Sequence, residues 1–114
     1  MAIASPMKLQ WFHILLALSV ESLHGHGIQR SILDRTQGKL RLWPATLYRL
    51  LAVLEDEGYI EASERSEDGR EDQRCQYYTL TRPGRRRLQS EAAMLASWAR
   101  EATCRLEVQK GGAR

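Results

Sequence analysis

The side chains best suited to chemistry in this sequence are its arginines. Seventeen residues are basic, and only Lys8, Lys39 and Lys110 among them are lysines. A guanidinium is a rigid planar fork that matches phosphate and guanine better than an ammonium does. Arg49, close to Thr46 and Tyr48, can bond a base edge or a phosphate. Arg82 and the Arg85-Arg86-Arg87 run form the densest positive stretch. It reads either as phosphate contact or as the solvated first turns of a helix, where positive charge slightly opposes the dipole. His24 and His26 on either side of Gly25 invite a metal. A structural zinc site needs about four ligands at short spacing, and Cys75 and Cys104 are far apart with no CxxC partner. We therefore expect no metal and no cofactor, and a reduced cysteine pair rather than a disulfide. There is no Gly-rich phosphate loop, no HExxH and no Ser or Cys in a nucleophile motif. The carboxylates are scattered with no pair placed for acid–base work, so an enzyme is not expected.

Those side chains must be positioned by a small frame. A length of 114 residues allows one compact domain, and 43% hydrophobic residues suffice for a core. The longest apolar stretch, 11–20, is interrupted by His13 and Ser19 and falls short of the roughly 20 residues of a membrane span. Ser22-Leu23-His24 behind it is a poor signal-cleavage site, so the expected location is the cytoplasm. A formal charge of +3 leans weakly toward a polyanionic partner.

Pro6, Pro44 and Pro83 each precede an apolar-periodic stretch, as prolines do in first helical turns. Ser5 and Thr81 are good N-caps. The spacing predicts a first helix over 6–20, apolar around most of its circumference and so buried on most of it. Trp11, Leu15 and Leu18 form one of its faces; Leu9, Phe12 and Leu16 form another. A second helix follows over 25–37, with Ile28, Ile32 and Leu33 inward and Gly38 left-handed behind it. Residues 40–42 are too short for more than a stub of strand. A third helix over 44–57 turns Leu47, Leu50, Leu51 and Leu54 inward and Ala45, Arg49, Ala52 and Asp56 outward. Residues 59–65 and 75–81 read as two strands of a hairpin with a long polar tip. The last helix, 82–108, repeats Leu88, Ala92, Leu95, Ala99, Ala102 and Leu106 at spacings of 4 and 3, a heptad seam.

Helix, helix, helix, strand, wing, strand, helix is the order of a winged helix-turn-helix. The fold class is thus α+β, with an added C-terminal dimerisation helix. Residues 1–81 would form the DNA-binding domain, 82–108 the dimerisation helix and 109–114 a flexible tail. The third helix would enter the major groove by its N-terminal half, with Ala45, Thr46, Tyr48 and Arg49 at the DNA and Arg70 and Arg74 on phosphate from the wing. The rival reading is a winged helix that binds proteins and no DNA. On that reading Thr46, Tyr48 and Arg49 have no reason to share an exposed face. The segment 64–74 holds five carboxylates and three arginines, a net −2, where a phosphate-tracking wing should be basic.

The ordered set of segments also resembles the PadR-like transcriptional regulators. It comprises Ile14-Leu15-Leu16-Ala17-Leu18, Leu23-His24-Gly25-His26-Gly27-Ile28, Pro44-Ala45-Thr46-Leu47-Tyr48-Arg49-Leu50-Leu51, Leu54-Glu55-Asp56-Glu57-Gly58-Tyr59-Ile60, and Tyr77-Tyr78-Thr79-Leu80-Thr81 with Gly84. A single long C-terminal helix is similar to the shorter subfamily. The resemblance implies a homodimeric DNA-binding regulator, usually a repressor at an inverted-repeat operator, often released by a small molecule. It gives the His24 stretch a structural role in opening the second helix. The expected dimer interface is Phe12, Leu16, Leu88, Ala92, Leu95, Ala99, Ala102 and Leu106. A flat aromatic effector would lie by Trp98, with Met94 one turn before it and the partner's first helix, Trp11 and Leu15, opposite. The sequence departs from the family at Trp43 and Ala45, where a small polar residue and a glycine are usual. Trp43 offers no capping oxygen, a loss of about 1 kcal/mol to the third helix.

Overall fold

The computed structural model describes residues 6–66 and 74–112, with side chains described for 6–64 and 76–108. Three helices, with a short strand between the first two, precede a β-hairpin; the three strands form one antiparallel sheet, and a long helix follows. They are α1 (Leu9–Ala17), β1 (Leu23–His24), α2 (Gly25–Arg35), α3 (Pro44–Asp56), β2 (Ile60–Ser66), β3 (Arg74–Leu80) and α4 (Arg82–Gly112). The fold is the α+β winged helix expected from the element order.

α1 is shorter than its apolar run at both ends. It starts three residues after Pro6, with an extended Lys8 at the N-cap and no side-chain cap bond. Its far end tightens. The Leu18 N–H is shared between the carbonyls of Ile14 and Leu15 at 3.2 Å, and the Ser19 hydroxyl donates to Leu16 at 2.7 Å. These i to i+3 bonds stop the helix before Val20. The buried side is Ile14, Leu15 and Ala17. Leu15 is therefore a core residue and cannot line an effector slot, a correction to the set expected around Trp98. An all-round apolar helix does not declare which side faces in; packing on α2 and α4 decides it.

The two-residue strand β1 replaces the strand stub expected at 40–42. Leu23 pairs with Tyr78 and His24 with Tyr77, and β3 pairs on its other edge with β2 from Ile60↔Leu80 to Ser66↔Arg74. The sheet order is β1-β3-β2. The Ser22 and Thr79 hydroxyls bond across the same seam at 2.7 Å.

α2 opens on His24, whose Nδ1 accepts the Gly27 N–H at 2.9 Å. An imidazole thus serves where Ser or Asp is usual, and the structural role implied for this stretch holds. The helix closes at Arg35. The Gly38 N–H bonds the Leu33 carbonyl at 2.8 Å across the left-handed pair Gln37 and Gly38, φ 56° and 78°. α3 buries Leu47, Leu50, Leu51 and Leu54, as their spacing requires, and ends before Gly58 at φ 82°.

α4 is capped by Thr81, whose hydroxyl donates to Gly58 at 2.6 Å and accepts the Gly84 N–H at 3.1 Å. Gly84 lies against the carbonyl of Tyr59 with no room for a methyl group, which seats the helix directly on the end of the sheet. Leu88 closes the core of this same chain. It corrects the expected interface, because α4's first turns are needed to cover the domain they spring from. One turn on, Glu91 is only 2% exposed. Its carboxylate accepts the Met7 N–H at 3.1 Å and pairs with Arg87 at 2.9 Å. The helix then continues four residues beyond Val108, into the stretch expected as tail.

Candidate nucleic-acid interface

The leucine stripe of α3 faces the core, so its opposite side must face out. Ala45, Tyr48, Arg49, Ala52 and Asp56 are exposed, and Thr46 is half-buried. The structure thus brings together the four residues expected on the third helix. Tyr48 does not stand free. A methyl group on Gly25 would overlap the Tyr48 hydroxyl, so the bare backbone of Gly25 makes room for the ring across the start of α2. Tyr78, on β3, lies in the same corner. Burial first, then Tyr48 and Glu55, push its phenol above the ordinary value of 10.0. The N-terminal ends of α2 and α3 and the middle of the sheet therefore meet at one place.

The turn before α3 adds a pair, Arg41 and Trp43, of which only Trp43 is marked by its sequence position. Leu42 is buried, and its carbonyl accepts from the Gln29 side chain at 2.7 Å. This pins an extended segment whose alternate residues, Arg41 and Trp43, point outward. The Arg41 guanidinium sits 5.1 Å from the centre of the Trp43 ring. Trp43 is 63% exposed and, as expected, gives α3 no side-chain cap. In sequence Arg41 carries no signal, because a lone arginine in a loop has no distinguishing neighbour until the Trp43 ring is placed beside it.

Arg70 lies outside the described residues, as does the side chain of Arg74, whose backbone belongs to β3. Arg82, Arg85 and Arg86 are exposed at the start of α4. The β2–β3 register puts that start at the Ile60–Leu80 end of the sheet, opposite the hairpin tip. Further along α4, Ala92, Leu95, Ala99, Ala102 and Leu106 are all exposed, with Trp98 half-exposed among them and Met94 half-buried. Phe12, Leu16 and Trp11 are half-buried on α1, and Cys104 is a free, exposed thiol. Among the described residues no helix is long and apolar enough to cross a membrane.

No curated protein matches the sequence. Solved structures do match its fold. A PadR family transcription regulator from Clostridium difficile superposes with a TM-score of 0.69 at 21% identity, over 84% of this chain and 98% of that one. Bacillus subtilis PadR, solved with operator DNA, gives 0.63 at 23% over 72% of this chain and 45% of its own. A winged-helix DNA-binding protein from STIV gives 0.65 at 18%, over 80% and 91%. Residues 14–90 match the model of the Transcriptional regulator PadR-like family. With that match covering most of the sequence, the chain belongs to the PadR-like family of transcriptional regulators.

Proposed function

We propose that this chain is a homodimeric, sequence-specific DNA-binding regulator of the cytoplasm, a repressor that occupies an inverted repeat and is released by a flat aromatic effector. The observation that carries the reading is the outward face at the start of α3. Ala45, Tyr48 and Arg49 stand clear of the core on a helix whose other side is locked by four leucines. Operator binding in the Bacillus subtilis relative supports it. Arg49 reads a base edge or a phosphate, Thr46 and Tyr48 bond backbone or nearby bases, and Arg70 and Arg74 add phosphate contacts from the wing. The exposed run Ala92, Leu95, Ala99, Ala102 and Leu106, with Phe12 and Leu16, is the surface a second copy covers. In that division 1–81 reads DNA, with α4's first turns completing its core, and the remainder of α4 pairs. The effector rests by Trp98, Met94 and the partner's Trp11.

Selection of bound sequences from a random DNA pool tests this. An enriched inverted repeat with half-sites about one helical turn apart, bound with steep salt dependence, is the expected result. A pool that returns no sequence, with flat salt dependence, would turn the reading to a protein-binding winged helix.

A further inference from the structure

We propose that Arg41, laid on the ring of Trp43, is a phosphate clamp for the DNA backbone that flanks the half-site. The inference rests on the DNA-binding reading above and adds to it a contact outside α3. Three observations carry it. The segment that bears the pair is rigid: Leu42 plugs the core, and Gln29 holds its carbonyl. The guanidinium carbon is 5.1 Å from the ring centre, within cation–π range, so the indole favours one placement of the charge before any ligand arrives. Among the described residues no carboxylate pairs with Arg41, and its charge is unspent. A large ring left 63% exposed at the mouth of a helix has no packing explanation; as a platform for a cation it has one, and its indole N–H is a second donor for a phosphate oxygen.

The position selects phosphate over base. Arg41 precedes the first residue of α3 and belongs to the turn, whereas base edges are reached by the helix inside the groove. Contacts from flanking segments set register and carry affinity without sequence preference. The ring contact matters because a guanidinium already resting on a platform loses less freedom on meeting its phosphate.

The test is DNA affinity measured against salt, on selected and unrelated duplexes, for wild type and four variants. Arg41→Ala is expected to weaken both duplexes alike and to reduce the salt slope by about one per bound protomer. Arg41→Lys should keep the slope. Trp43→Leu should weaken binding about two- to fivefold, and Trp43→Tyr, which restores a ring, should recover most of it. With Trp11 and Trp98 replaced by Phe, DNA should quench the emission of Trp43. Circular dichroism confirms that α3 persists in each variant. An Arg41→Ala slope equal to wild type overturns the clamp, as does a change in sequence preference, which would make Arg41 a base reader. Wild type that binds no DNA overturns the functional reading as well, a result distinct from loss of the Arg41 effect alone.

Discussion

At the scale of single residues, Arg49 is the side chain on which sequence discrimination should depend. Arg49→Ala should fold normally, because the residue is exposed on α3. It should cost about 1–3 kcal/mol of operator affinity and relax preference at one base position if the contact is bidentate to guanine. Fluorescence anisotropy on operator variants checks both. Arg41→Ala, by contrast, should weaken all sequences equally. His13 supplies a prediction about pH. Burial first, then the neighbouring Arg35, hold its imidazole below the ordinary 6.5. Its Nδ1 is buried with no hydrogen-bond partner among the described residues, and Arg35 donates to its carbonyl at 3.2 Å. With the folded value lowered, the unfolded chain takes up the proton first. The stability present above about pH 6.5 is then lost as pH falls. Thermal melts from pH 7.5 to pH 5.5 should show a smaller decline for His13→Phe than for wild type.

At the scale of elements, the decisive contact is that of α4 with the arm before α1. Glu91→Ala would take the carboxylate acceptor from the Met7 N–H, at a cost of about 1–3 kcal/mol. Denaturant unfolding should show a lower midpoint with an unchanged slope. How far such features were legible follows from their physics. Leu47, Leu50, Leu51 and Leu54 recur at a helical period, and that period alone orients α3 and therefore its outward face. The glycines at 38 and 58 mark their helix ends through positive φ. β1 was not legible, because two residues carry no alternation and pair only once β3 has been brought beside them. Glu91 was not legible either. A glutamate in a helix reads as solvated unless its backbone donor, 84 residues away in sequence, is known. The inner face of α1 was ambiguous for the opposite reason: apolar residues all round it gave no contrast, and Leu15 was assigned to a surface it does not reach.

At the scale of the whole molecule, the shape is set by α4. The radius of gyration is 17.7 Å, against about 13 Å for a compact domain of this size. The excess is helix standing clear of the domain, with Trp98 50% and Leu106 69% exposed. Leaving even ~600 Å² of apolar surface in water forfeits about 15 kcal/mol of gross burial energy. Sedimentation at micromolar concentration should therefore find a two-chain species, and charged replacements at Leu95 and Leu106 should split or unfold it. Planar aromatic cations or phenolic acids should quench its tryptophan emission; Trp98→Ala should abolish the effect while the pair stays folded. Quenching that survives in that variant would place the ligand elsewhere. The attachment of α4 has a mechanical corollary. Leu88 and Glu91 clamp its root, and roughly 30 Å of beam extends beyond them. A tilt of about 5° at the clamp carries the free tip about 3 Å. In the proposed dimer, with two copies joined along their beams, a change of that angle would move the two α3 helices apart or together and so retune the spacing of the half-sites they could span.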